Sequence, residues 1–387
     1  MTPRAGGPTL PRYPGEIPMQ TIRAAVCRTF GEPLTIEQVR LAPPRLGEVT
    51  VRIEAVAICH SDISYARGDW GGALPAVYGH EAAGRIEALG TGAPPGLAVG
   101  DPVIVTLIRA CGHCTPCATG APTLCETPAD PAHPLSLPGG GPLSAAMACG
   151  AFAEAVTVHA SQVARVPEEM PMEAACLLSC SVVTGIGAAV NAARLRAGQD
   201  VVVIGAGGVG LNAIQGARIA GARRIVAVDL SSQKGEDAME FGATDFVRAS
   251  GEPWRAARRI LGRGADAVIV TVGSIPAYEQ APRYLAPGGR LIAVGMPPSG
   301  ATSKVEPVIL AFAAQGVVGS KMGDAVLARD VPWMTDLWAQ GRLKLEELIS
   351  GRWALEEIND AIADTVAGGA RRNVIVLDQP PGGGQGR

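Results

Sequence analysis

The stretch Asp200 to Leu230, DVVVIGAGGVGLNAIQGARIAGARRIVAVDL, limits what this chain can fold into more than any other. Its continuous apolar run, Val201 to Ile204, predicts a strand buried on both faces, as in a parallel sheet. Gly205-Ala206-Gly207-Gly208-Val209-Gly210 follows as a G-x-G-x-x-G turn, then a helical pattern, then a second buried strand, Ile225 to Val228, ending in Asp229. Glycines at that spacing permit a tight turn and a close approach of backbone to pyrophosphate, which the free N–H groups of the helix N-terminus attract. Asp229 lies 19 residues after the last glycine. A carboxylate there accepts hydrogen bonds from an adenosine ribose and repels a 2′-phosphate, which predicts NAD rather than NADP.

Strand-like runs continue at 245–248, 267–272, 290–294 and 317–321, separated by helical or loop segments. The alternation predicts an α/β fold with a doubly wound, six-stranded parallel sheet over residues 181–324. A chain of 387 residues is long enough for a second domain, and 47% hydrophobic residues exclude disorder. The formal charge of −3 gives no bulk attraction for a polyanion, so neither nucleic acid nor an anionic membrane is expected as a partner. Residues 1–18 hold five prolines and no apolar core of a signal peptide. They are expected to form a flexible arm, residues 379–387 a disordered tail, and the protein to be cytoplasmic. Ala174 to Ala193 is 20 residues without a charge, yet its serines, threonine and glycines predict a buried helix rather than a membrane span.

Nine cysteines occur, and four of them, Cys111, Cys114, Cys117 and Cys125, are spaced C-x2-C-x2-C-x7-C in a loop-like stretch. An odd total without an export signal argues against disulfides. Four thiolates satisfy tetrahedral Zn²⁺ with no position left open, which predicts a structural site that orders a lobe lacking its own core. Apart from these, Cys59-His60-Ser61-Asp62 follows an alternating strand at 49–56, Gly79-His80-Glu81 follows a proline-containing loop, and Cys180 sits in the apolar helix. Each is unremarkable alone. Two thiolates and one imidazole together would leave a fourth zinc position open, as a catalytic zinc requires.

Those motifs, with Thr184 and Gly185 after Cys180, the glycine turn and Asp229, give the chain a resemblance over residues 19–377 to the zinc-dependent medium-chain alcohol dehydrogenases. The resemblance implies a GroES-like catalytic domain, 19–180 plus 325–378, split around the Rossmann domain. It implies two zinc ions per chain: a catalytic one on Cys59, His80 and Cys180, and a structural one on the four-cysteine lobe. Asp62 would orient His80, and Glu81 holds the position of a glutamate able to approach zinc. Contacts to NAD would come from His60, Thr184, Gly205, Gly207, Gly208, Val209, Gly210, Asp229, Lys234, Val294 and Arg372. Trp70 and Leu107 match positions lining the substrate channel.

The activity so implied is transfer of a hydride between an alcohol and NAD, with zinc lowering the pKa of the alcohol. Ser61 would accept the alcohol proton; Ser64 stands where other members carry the histidine that continues the relay, so solvent would have to complete it. An indole at Trp70 favours an unhindered primary alcohol or its aldehyde. Relatives oxidise thiol-aldehyde adducts or reduce carbonyls and activated double bonds, and they are homodimers or homotetramers. A zinc-ribbon module joined to a nucleotide-sensing domain is the alternative from another class, and it leaves Cys59, His80 and Cys180 unexplained. The Pro/Gly-rich loop 126–151 is a lid or a subunit contact by its length.

Overall fold

A computed structural model describes residues 19–129 and 134–377; the arm at 1–18 and the tail at 379–387 lie outside the described residues. Six strands form a parallel sheet in the spatial order Asp245–Arg248, Arg224–Asp229, Asp200–Ile204, Ala265–Val270, Leu285–Ala293 and Gly316–Gly319. Every neighbouring pair runs parallel. Taken in chain order this is 3-2-1-4-5-6, so the connections reverse direction beside Asp200–Ile204 and open a crevice at its carboxyl end. Val201, Val202 and Val203 are fully buried, as a strand covered by helices on both faces must be.

The expected strand at 267–272 begins and ends two residues earlier, because Thr271 has already turned away. Its hydroxyl lies within hydrogen-bond reach of the Ile204 and Gly205 carbonyls, at 3.0 and 3.1 Å. The last strand ends at Gly319, short of the expected Lys321, because the chain turns into a left-handed segment at Met322.

The rest of the chain is rich in antiparallel β-structure. Glu48–Ala57 is the hub: it pairs with Glu81–Leu89, Ala155–His159 and Arg372–Val376. The carboxy-terminal strand thereby joins a sheet begun more than 300 residues earlier, and the helix Ile358–Ala367 packs beside it through buried Ile358 and Ala361. A second sheet of five strands is built around Gln20–Cys27 and Thr35–Leu41. The described part of the loop 126–151, from 134 onward, is woven into that sheet. Its Leu135–Ser136 pairs with Thr35–Leu41, and its Ser144–Ala145 pairs with Ala76–Val77.

Between the two β-systems lies the apolar helix Met172–Ala192, most of it packed inside the protein. Two wide turns with i→i+5 bonding interrupt it, Leu178–Val182 and Ala188–Ala192. Turns of this kind are rare and recur at functional sites, since they rotate the side chains that follow onto a new face. Cys180 stands in the first of them.

Candidate active site

Three residues far apart in sequence meet at the first wide turn of this helix. The ligand atoms of Cys59, His80 and Cys180 all lie within 4.8 Å of one another, and all three side chains are buried. Cys59 heads the short helix His60–Arg67, His80 precedes the strand Glu81–Leu89, and the wide turn of the apolar helix delivers Cys180. His80 Nε2 is 3.3 Å from Cys180 Sγ.

Asp62 fixes this geometry. Its carboxylate accepts from the Cys59 amide at 3.2 Å and the Gly79 amide at 2.9 Å, and pairs with His80 Nδ1 at 3.0 Å. With Nδ1 so engaged, Nε2 is left free to ligate. A hydrogen bond from Cys180, with further help from His80 and Arg372, holds the Cys59 thiol well below its usual range despite burial. Burial works against a charged His80, yet Asp62 raises its imidazole well above the ordinary value. A site that stabilises a thiolate and orients an imidazole suits zinc.

The four-cysteine lobe also closes on itself, with the Sγ atoms of Cys111, Cys114, Cys117 and Cys125 within 4.8 Å of one another. Backbone amides point at the sulfurs: Cys111 N–H donates to Cys125 Sγ at 3.3 Å and Cys114 N–H to Cys111 Sγ at 3.2 Å. The Thr127 hydroxyl, with the His113 and Cys114 amides, draws the Cys111 thiol down to about 5. His113 points outward and takes no part in the cluster.

The glycine turn is a cradle by the test of what a side chain would meet. Space above Gly207 is open, whereas a Cβ on Gly210 would collide with the Gly205 carbonyl and one on Gly208 with the Arg372 guanidinium. No side chain caps the helix Gly208–Ile219, so its first N–H groups remain available to an anion. The Asp229 carboxylate accepts from the Ala206 amide at 2.8 Å and the Ser231 amide at 3.0 Å, which holds it at the end of its strand beside the turn. These features fit a dinucleotide.

Arg372 connects the cradle to the metal triad. It is 95% buried, donates to the Ile58 carbonyl at 3.1 Å, and places Nη2 3.7 Å from Glu81 Oε2. Its buried Nε has no partner, and the guanidinium lies directly beneath Gly208. Glu81 accepts from the Ser181 amide at 2.9 Å; burial pushes its carboxyl up, and Arg372 opposes that. Gly185 completes the link, because a Cβ there would strike the Val209 carbonyl of the phosphate helix. The helix carrying Cys180 and Thr184 is therefore in backbone contact with the turn.

Other expected residues fall as follows. His60, Ser61 and Ser64 share the helix after Cys59; His60 is exposed, the serines half-buried. Thr184 is buried one turn beyond Cys180. The Val294 amide donates to the Val270 carbonyl at 3.0 Å. The Lys234 ammonium is turned toward the Gly369 and Ala370 carbonyls at 3.4 and 3.1 Å. Trp70 packs edge-on against Tyr65 and donates Nε1–H to the Pro297 carbonyl at 3.1 Å, bridging the two halves of the molecule. Leu107 lines a cavity with Ile108, Thr123 and Met322. Met322 was not foreseen from the sequence: a methionine 142 residues from Cys180 carries no local signal of contact with it.

The family description "Alcohol dehydrogenase GroES-like domain" matches residues 45–168, and "Zinc-binding dehydrogenase" matches residues 208–340. Among curated proteins, the NDMA-dependent alcohol dehydrogenase of Amycolatopsis methanolica is 35% identical over 92% of this chain and 98% of its own. The alcohol dehydrogenase class-3 of Cereibacter sphaeroides is 33% identical over 92% of this chain and 99% of its own. Among solved structures, an alcohol dehydrogenase zinc-binding domain protein from Burkholderia ambifaria superposes with a TM-score of 0.89 at 33% identity, covering 94% of this chain and 100% of its own. The benzyl alcohol dehydrogenase of Acinetobacter calcoaceticus gives 0.87 at 29% identity over 93% and 100%.

Proposed function

This chain belongs to the zinc-dependent medium-chain alcohol dehydrogenase family and is an alcohol oxidoreductase, and on that premise we propose that it converts an unhindered primary alcohol to the aldehyde with NAD as hydride acceptor. The observation that carries this reading is the direct packing of the Cys180 and Thr184 helix, through Gly185, on the helix that opens at the glycine turn. A reacting carbon at the metal triad and a nicotinamide extending from the turn would thereby be held in a fixed relation.

Cys59, His80 and Cys180 would hold the catalytic zinc, and Cys111, Cys114, Cys117 and Cys125 the structural one. Bound there, zinc supplies a Lewis acid that lowers the pKa of an alcohol, and NAD supplies a hydride acceptor. The chain's own residues do the rest. Asp62 keeps His80 in its ligating tautomer, Arg372 and the uncapped helix hold pyrophosphate, Asp229 receives the ribose, and Ser61 takes the proton from the alcohol hydroxyl. Trp70 narrows the cleft from the side of Pro297.

The protein acts as a homodimer in this reading. The parallel sheet ends at Gly316–Gly319, and beside that strand Val308, Phe312 and Val317 are 71%, 93% and 50% exposed. A second copy presenting the same edge would cover them. Nine cysteines without a disulfide suit the reducing cytoplasm.

The test is reduction of NAD⁺ by the zinc-loaded protein over primary, secondary, aromatic and thiol-adduct alcohols, with NADP⁺ and NDMA as alternative acceptors. Turnover of primary alcohols with NAD⁺ is expected. Turnover with NDMA alone would replace free NAD exchange by a retained cofactor, and silence with every acceptor would overturn the reading.

A further inference from the structure

Met322 follows the edge strand in an unusual backbone state. Its φ is +52°, and Gly323 and Asp324 follow at +64° and +51°. A left-handed conformation at a methionine persists only where the surroundings impose it, and such positions cluster at functional sites. Here the surroundings are specific. A Cβ on Gly323 would collide with the Val183 carbonyl, and one on Gly187 with the Gly323 carbonyl, so two backbones touch. Asn191 donates to that same Gly323 carbonyl at 3.0 Å, and the Asn191 carbonyl oxygen is held by Arg329 at 3.1 Å.

This clamp drives the Met322 side chain inward. Only 8% exposed, its Sδ lies 3.9 Å from Cys180 Sγ and 3.7 Å from Thr184 Oγ1. On its other side the same residue borders a cavity of about 40 Å³ that it shares with Leu107, Thr123, Arg109, Lys321 and Cys125 of the four-cysteine lobe. A long, unbranched thioether thus stands between a residue of the metal triad and the residue placed beside the nicotinamide.

We propose that Met322 determines substrate specificity by filling the space that a second carbon substituent on the carbinol carbon would need. The inference rests on the alcohol-oxidation reading above. With Met322 in place a primary alcohol fits; shortening the side chain admits a secondary one. Because the thioether approaches from the side of Cys180 and Thr184 alone, the gain falls mainly on one enantiomer, which a general loosening of the protein would not produce.

The experiment compares benzyl alcohol with the two enantiomers of 1-phenylethanol, which differ from it by one methyl group on the reacting carbon. Zinc-loaded wild type, Met322→Leu, Met322→Val and Met322→Ala are assayed for kcat/KM, and the dissociation constants of the same alcohols are measured by calorimetry. One methylene group that a pocket accepts or rejects is worth roughly 10- to 200-fold. Met322→Ala is therefore expected to raise the secondary-to-primary ratio at least about tenfold for one enantiomer. Met322→Val should show a smaller rise of the same sign, and Met322→Leu should resemble wild type. Unchanged ratios and affinities in folded Met322→Ala or Met322→Val would overturn the proposal. So would loss of the catalytic zinc from Met322→Ala, which would assign the thioether to the metal. A wild type inert toward every primary alcohol would sink the alcohol reading instead, and the calorimetric comparison would still report on the wall.

Discussion

Asp62 and His80, 18 residues apart, form a buried pair in which Oδ1 lies 3.0 Å from Nδ1, while the same carboxylate accepts the amides of Cys59 and Gly79. One side chain thus ties together the two segments that bring a thiolate and an imidazole to the metal triad. Asp62→Asn keeps the size but loses the charge that orients the ring. A metal affinity lower by about 10- to 100-fold is expected. Zinc retention during titration with a chelator measures it, and wild-type retention would dismiss the orienting role.

The four-cysteine lobe has buried Thr123 but little apolar core of its own. Cys117→Ser should abolish the zinc binding proposed for this lobe and expose residues 111–127 to protease, since binding energy at such a site is folding energy. Zinc at Cys59, His80 and Cys180 should remain, as those ligands are delivered by other elements. Simultaneous loss of both would show that the lobe is not an independent unit.

Arg372 and Glu81 are both buried and lie 3.7 Å apart; Cys59 and Cys180 also offset the guanidinium, whereas Arg372 is the main group that offsets Glu81. Arg372→Met should destabilise the protein by about 3–5 kcal/mol, because an uncompensated buried carboxylate remains. The double variant Arg372→Met, Glu81→Gln should recover much of that loss in a denaturant titration, while NAD binding stays weak in both. Recovery of NAD affinity in the double variant would remove Arg372 from the pyrophosphate site.

If Asp229 receives the ribose as proposed, Asp229→Ala would remove both that acceptor and the repulsion of a 2′-phosphate. The ratio of NADP to NAD affinity should rise by about tenfold, the change that about 1.4 kcal/mol brings. Calorimetric titration with each dinucleotide reads it directly, and an unchanged ratio would show that selectivity lies elsewhere.

Ser61→Ala should lower alcohol oxidation by about 100-fold, at the low end of what a positioned proton acceptor contributes, with zinc content unchanged. Because Ser64 follows one turn later on the same helix, Ser64→Ala should change the rate far less if solvent completes the relay. A large effect of Ser64→Ala with none of Ser61→Ala would reverse the two roles.

Much of this protein was legible in one dimension because the physics involved is local. The run Val201–Ile204 can only be a strand covered on both faces, the glycine turn has to precede a helix, and thiols separated by two residues must lie close around a tight turn. Those are statements about neighbouring backbone torsions and side-chain period, and a window of a few residues contains them. Even Cys59, His80 and Cys180 became a set only through resemblance, since Cys180 stands 100 residues from His80 and nothing between them requires their meeting. The tertiary structure decided the rest. A wide turn in the apolar helix aims Cys180, Gly185 brings that helix onto the phosphate turn, and a contact between Gly187 and Gly323 pushes Met322 against the metal triad. The loop 126–151, expected to be a lid or a subunit contact, supplies the short strands Leu135–Ser136 and Ser144–Ala145 because distant strands offered them free edges. Contacts of this range depend on which surfaces remain once helices and sheets have closed on each other, and no local pattern of residues carries that information.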